Sequence, residues 1–452
     1  EGMTIEQIRR FTNGRDIMKS KNFNRLYCIE GAMSLTGANA DYRLRLNPTQ
    51  QLDLLLALIN EIGLVRKKGS LTGTIPVQAS GASLAQFANQ HSLPVEILNH
   101  LADDLSADVG RSIVIAGDVL PVEVHVAVNY LNEMLGNSVL YENQKAVSYS
   151  TLSTPSDLES LIAGMKSGQV GVVVHVGTNP VFHVPREFGY EEALKRVPGS
   201  VSLVESADET SRFCTYVLPA NHALESWGDF KVRTGVHSLQ QPVIAPLYDT
   251  RQKEAVLLSW VQGKGSYKET LYHEYLMAHW EKILFPALNR RVDFKSFWYA
   301  SLHDGVVMAE EQSNDDHRFR SDSLGSVNPA SSQGYVIGLN RNTYLGDGTF
   351  ANNGWLQELP HPISKVVWDN YASVSPKTAK EIGVDNNDRI EITLPHGKQT
   401  LPVFVQPGQA DGYISCELGY GRTNAGPIGS DVGMDATVLL TKESLTGSRV
   451  IS

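Results

Sequence analysis

Residues 171–185 read GVVVHVGTNPVFHVP and put a chemically useful loop at the end of an apolar run. The valines read as a buried strand, and Gly177, Thr178, Asn179 and Pro180 break it. In an open α/β sheet, ligands bind at the carboxyl ends of strands. Gly177 permits close backbone approach, and Asn179 offers an amide donor and an acceptor. Glu205 closes the next apolar run, where a carboxylate can accept hydrogen bonds from ribose hydroxyls. Together these suit a nucleotide. The same loop also reads as an ordinary strand-to-helix turn, and spacing does not separate the two.

Other chemistries have less support. No G-x-x-x-x-G-K-[ST], G-x-G-x-x-G or G-x-S-x-G pattern occurs, so the loop is neither a P-loop nor a dinucleotide fingerprint, and there is no nucleophile elbow. HEYLMAH at 273–279 invites comparison with H-E-x-x-H, but His273 and His279 lie about 240° apart round a helix and face different ways. Cys28, Cys214 and Cys416 form no close pair. An iron–sulfur cluster or structural zinc needs clustered thiolates, so these read as small buried hydrophobes. The carboxylates are scattered, as on solvated helix faces.

The loop needs a framework, and the patterning supplies one. Strands are expected at 24–30, 110–121, 171–176 and 201–206. Helices are expected at about 48–64, 83–104, 122–136, 157–168 and 185–197, with Gly136 ending the third and Pro185 opening the last. Such alternation implies right-handed crossovers and a parallel, doubly wound sheet. A weak repeat relates YCIEGAMSLTGANADYRLRL to SLVESADETSRFCTYVLPA: strand, acid (Glu30, Glu205), threonine (Thr36, Thr210), short extended stretch. Two Rossmann-like halves would produce it. The first twenty residues read as a leader or a tail from a preceding domain. Residues 263–330 turn helical and aromatic, and the polar stretch 309–334 reads as mobile. Beyond about 360, short alternating runs separated by Pro-His-Gly, Pro-Gly and Asp-Gly turns predict a β-barrel.

The bulk numbers fit. With 452 residues, 42% hydrophobic and 19% charged, the chain is long enough for about three domains with real cores. A net charge of −10 without a basic stripe argues against nucleic-acid binding. No apolar run reaches the roughly 18 residues of a membrane span. The sequence opens on Glu1, not Met, and the chain is expected to be one piece of a longer protein.

The run GTNPVFHVP…VSLVESADETSRFCTYVLPANHALESWGDF resembles the molybdopterin oxidoreductase family, with Gly177, Thr178, Asn179, Pro180, Thr210, Val217–Ala220, Glu225 and Gly228 at the family's positions. Asp41 occupies an equivalent place in the earlier segment. SVSPKTAKEIGVDNNDRIEITLPHGKQTLPVFVQPGQADGYISCELGYG is similar to the family's C-terminal double-psi β-barrel. NRLYCIEGAMSLTGANADYRLRL, NNGWLQELPHPISKVVWDNYASVSP and LGYGRTNAGPIGSDVGMDA are most like the molybdopterin-type half of the B subunit of bacterial alternative complex III, with Asp435 departing where an Asn is expected.

The resemblance implies an α/β fold: a partial Rossmann-like domain at 1–106, a second at 107–262, a helical and polar connector at 263–339, and the barrel at 340–452. It implies a vestigial pocket at Gly177, Thr178, Asn179, Pro180, Glu205 and Thr210, with no catalytic residue, no metal and no cofactor in this chain. Iron–sulfur clusters would sit in a neighbouring ferredoxin-like domain. The implied partners are that domain, cytochrome c subunits and other subunits of a quinol-oxidising membrane complex, with peripheral attachment at the periplasmic face. Cofactor loss agrees with the sparse cations, since 175–190 offers Arg186 alone and 201–230 offers Arg212. The alternative is an active enzyme binding molybdopterin guanine dinucleotide.

Overall fold

A computed structural model of the chain describes residues 4–18, 23–70, 78–137, 153–288, 291–310, 321–327 and 334–451. The helix Gln51–Asn60 carries Leu52, Leu54, Leu55, Leu56, Leu58 and Ile59, all buried, so it lies inside a core rather than against one. The helices Leu84–Gln90, Val95–Ala107 and Val122–Met134 supply Phe87, Leu98, Leu101, Leu105, Val128 and Leu131 around it. The single helix expected near 83–104 is broken, because Ser92 adopts φ 51° and Pro94 lacks a backbone donor.

The strand expected at 110–121 does not form. Residues 112–117 run outside any sheet, with Ile113 and Ile115 exposed. The side-chain amide of buried Asn132 takes the place of a neighbouring strand. It accepts from Val114 N at 3.0 Å and donates to Val114 O at 2.7 Å.

Strands β1 (Tyr27–Glu30) and β2 (Tyr42–Arg45) pair in parallel. Strands β3 (Val172–Val176), β4 (Gly199–Val204) and β5 (Tyr216–Pro219) form a second parallel sheet in that order. Tyr27 pairs with Tyr42 and Val201 with Tyr216, the same sequence offset in both units. The repeat is therefore visible as topology: strand, short helical turn, parallel strand. Its acids are not equivalent, since Glu30 ends β1 and accepts from Ser34 and Arg43, whereas Glu205 follows β4 and is exposed.

One face of the second sheet is covered by the helices Pro155–Lys166 and Tyr190–Leu194, which pack Ile162, Met165 and Leu194 in one cluster with Val173. Thr154 and Asp157 cap the first reciprocally. The helix expected at 185–197 is interrupted by Gly189 at φ 62°, leaving a turn at Arg186–Phe188 before Tyr190–Leu194.

The aromatic region contains the helices Leu271–His279 and Phe294–Asp304, with Trp280, Phe297 and Trp298 buried. They pack on an antiparallel sheet of β6 (Gly228–Arg233), β7 (Val236–Gln240) and β8 (Val306–Met308), which the sequence does not announce because β8 arrives from far along the chain. Near the N-terminus the helix Thr4–Asn13 is tied by Glu6 to Arg233 at 2.9 Å, and Arg15 pairs with Asp41. Of the stretch 309–334, residues 311–320 and 328–333 lie outside the described residues; within 321–327, Leu324 and Val327 are buried in the first core.

The C-terminal unit is a six-stranded mixed sheet. It consists of β9 (Val336–Arg341), β10 (Ala372–Val374), β11 (Arg389–Leu394), β12 (Gly397–Val405), β13 (Tyr413–Leu418) and β14 (Val450–Ile451). The order is β11-β12-β10-β13-β9-β14, with β10 parallel to β12 and β9 to β13. Leu339, Val374, Leu401 and Cys416 fill its core.

Candidate functional site

The loop after β3 is aimed by the strand. His175, buried beside Ser202, has Nε2 2.8 Å from the Tyr190 hydroxyl and Nδ1 3.2 Å from Val201 O. Burial pushes its pKa down, so it is a neutral prop for the sheet. The chain then turns at Gly177, φ 61°, whose N–H donates to Leu203 O at 2.9 Å. A Cβ at this glycine would stand 3.8 Å from Lys253 Nζ. Pro180 starts a one-turn helix, Pro180–His183, that buries Phe182.

The expected site residues divide into two groups. Asn179 and Thr210 meet inside the protein: Asn179 Oδ1 accepts from Thr210 N at 3.1 Å and from its hydroxyl at 2.7 Å. Thr210 Oγ1 in turn accepts from Val181 N at 3.0 Å. Gly177, Thr178 and Glu205 face outward and are exposed.

The centre of the constellation is a residue the sequence reading passed over. Glu209, 7% exposed, accepts from Asn179 Nδ2 at 2.7 Å. It also accepts from Arg422 Nε at 3.0 and 2.9 Å, and its Oε2 lies 2.8 Å from Arg422 Nη2. The backbone N–H groups of Thr423 and Asn424 donate to its Oε1 at 2.8 and 3.0 Å. Burial alone would raise the carboxyl pKa; Arg422, Asn179 and the Asn424 N–H overcome that and hold it at about 2. Arg422 sits over the Phe182 ring at 5.0 Å and donates to Gly348 O at 2.7 Å. The sequence carried one signal for Glu209, its adjacency to Thr210. Arg422 lies inside the quoted run LGYGRTNAGPIGSDVGMDA, but it is on the barrel and absent from any local count of cations around the loop.

Further direct contacts join the barrel to the α/β unit. Arg212 donates to Thr423 O at 2.7 Å, and Asn424 Nδ2 donates to Asp208 O at 2.6 Å. Arg186 reaches Asp435 at 3.2 Å, and Lys442 reaches Glu159 at 2.7 Å. Glu187 pairs with His396 Nδ1 at 3.1 Å. Burial pushes the Asp435 carboxyl up, against the pull of Thr437 and Arg186.

A dinucleotide needs donors for its phosphates and open edges for its base. The inner half of the loop does not fit that need. The Gly177 N–H, the Asn179 amide, the Thr210 hydroxyl and the Arg422 guanidinium all have protein partners. The outer half, Gly177, Thr178 and Glu205 with Lys253 nearby, stays open. An open groove on the barrel is lined by Phe350, Asn353, Trp355, Glu358 and Ile428.

His273 stacks on Trp227 with ring centroids 3.9 Å apart, and His279 stacks against Tyr275, so neither half of HEYLMAH is poised as a ligand. Cys28, Cys214 and Cys416 are free thiols; Cys416 is buried and the other two are half-buried. Among the described residues no group of three His, Cys, Asp or Glu could hold a metal ion. No helix among them is long and apolar enough to cross a membrane.

Residues 351–444 match the molydopterin dinucleotide binding domain. The chain is also 26% identical, over 306 residues, to the menaquinone reductase, molybdopterin-binding-like subunit of Nitratidesulfovibrio vulgaris (strain Hildenborough). Both matches are to molybdopterin-binding or molybdopterin-binding-like units. The fold agrees: acetylene hydratase from Pelobacter acetylenicus superposes with a TM-score of 0.61 over 90% of this chain and 70% of that one, at 14% identity. The match to the reductase subunit covers 64% of this chain and 42% of that relative, so the chain spans less than half of the relative's length. The matched segment includes Arg422, Thr423 and Asn424, the barrel donors that surround Glu209.

Proposed function

We propose that this chain is a cofactor-free body of a membrane-associated respiratory complex of the alternative complex III type, which oxidises quinol. It braces an adjacent ferredoxin-like domain that carries the iron–sulfur clusters and hands electrons on towards cytochrome c subunits. The chain would attach peripherally at the periplasmic face. The observation that carries this reading is the Glu209–Arg422 pair. It closes the inner half of the ancestral pocket with the protein's own atoms and engages Asn179, which a nucleotide would otherwise use. The relative's name supports the setting, since it describes a quinone-linked enzyme, a subunit, and a molybdopterin-binding-like unit. Two-electron chemistry needs a metal, pterin, flavin or reactive thiol pair, and the side chains around Glu209 supply none.

A second reading has one observation in its favour. The open outer mouth, with Gly177, Thr178, Glu205 and Lys253, retains groups that suit a nucleotide. On that reading the chain binds molybdopterin guanine dinucleotide and is an active oxidoreductase domain.

Elemental analysis and heat release of nucleotides separate the two. The expected result for the purified full-length subunit is molybdenum and tungsten far below one per chain, with no guanine nucleotide in the heated supernatant. About one molybdenum and two guanine nucleotides per chain would establish the second reading instead.

A further inference from the structure

The groups around Glu209 form more than an ion pair. Two successive backbone N–H groups, of Thr423 and Asn424, converge on Oε1. Arg422 Nε spans both carboxylate oxygens, while its Nη2 and Asn179 Nδ2 converge on Oε2. Consecutive backbone amides, a guanidinium and a side-chain amide are the donor set with which proteins hold free carboxylates and phosphates. Arg422, Asn179 and Glu209 are buried, with Arg422 6% exposed, whereas Thr423 is exposed and Asn424 half-buried. The loop that carries it is shaped by Gly419, Gly421 and Gly426, all at positive φ. Its rear is fixed by the bond from Arg422 to Gly348 O and by the Phe182 ring.

The donors come from the barrel and from the loop after β3, whereas the carboxylate comes from the segment after β4. A side-chain carboxylate held this way behaves as a tethered ligand at high effective concentration. We propose that Arg422, Thr423 and Asn424 with Asn179 constitute an anion-binding nest whose resident anion is the chain's own Glu209 carboxylate, and which takes a free small carboxylate when that side chain is shortened. The inference rests on this geometry and stands whether or not a cofactor binds at the outer mouth.

Glu209→Ala removes the atoms that acetate restores, a methyl-sized carbon and a carboxylate. The experiment follows thermal unfolding of the full chain in sodium acetate, sodium chloride of equal ionic strength, and acetamide, the neutral isostere. The expected result is a first melting transition several degrees below that of wild type, a deficit of which acetate recovers more than half in a saturable manner. Chloride and acetamide recover little. In the double variant Glu209→Ala/Arg422→Leu the acetate effect disappears. Acetate acting no better than chloride, or acting equally on the double variant, would overturn the proposal. Should Glu209→Ala fail to fold in plain buffer, refolding yield is compared with acetate and with acetamide. Recovery in acetate alone supports the nest, and equal failure in both overturns it.

Discussion

Glu209 is a buried carboxylate whose neighbours outweigh its desolvation. With its folded pKa at about 2 and an ordinary carboxyl near 4.5, the unfolded chain binds more protons than the folded one between those values. Glu209 therefore contributes its full share of stability above about pH 4.5, and that share falls away as pH drops towards 2. The shift corresponds to roughly 3 kcal/mol. Glu209→Gln leaves Arg422 buried without a counter-charge and is expected to cost about 3 to 5 kcal/mol at pH 7. Urea unfolding at pH 7 and pH 3 checks both points: the deficit of the variant should shrink markedly at pH 3. Gly421 is a second sensitive position. It has φ 73°, and a Cβ there would stand 2.0 Å from Asp435 N, so both conformation and space require glycine. Gly421→Ala is expected to displace the 419–426 loop and lower the melting temperature even though no polar contact is removed, which calorimetry would register.

At the scale of elements, helices were legible wherever an apolar period met a stop signal, as at Val122–Met134 before Gly136. Boundaries set by single backbone conformations, at Ser92 and Gly189, were not legible, because neither residue type demands a positive φ. The segment 112–117 has the composition of a strand but lacks a neighbouring strand, and Asn132 satisfies its backbone instead. Asn132→Leu would leave Val114 N and O without those partners. The expected cost is about 1 to 3 kcal/mol for each group that stays buried. Amide hydrogen exchange at 112–117 should accelerate while the helix Gln51–Asn60 stays protected.

On the scale of the whole molecule, ion pairs join the barrel to the α/β unit, beside backbone hydrogen bonds such as those from Thr423 and Asn424. The Glu209–Arg422, Arg186–Asp435, Glu187–His396 and Glu159–Lys442 pairs all cross that boundary. Of these, Glu209–Arg422 is the one most fully shielded from solvent, so salt screens it least. Wild-type protein is expected to melt in one transition, and Glu209→Ala in two as the barrel and the α/β core separate. Differential scanning calorimetry at low and at high salt distinguishes these outcomes. A single transition in the variant would show that the remaining pairs suffice to couple the units.

The sequence by itself determined the α/β-plus-barrel architecture and the loop at Gly177–Pro180, because strand and helix periods and turn residues are local properties. The resemblance also put Asn179 and Thr210 in one expected pocket. Only the tertiary structure decided what that loop holds. Arg422 lies more than two hundred residues from Glu209, and no local pattern can report a donor set assembled by folding two distant segments onto a single carboxylate.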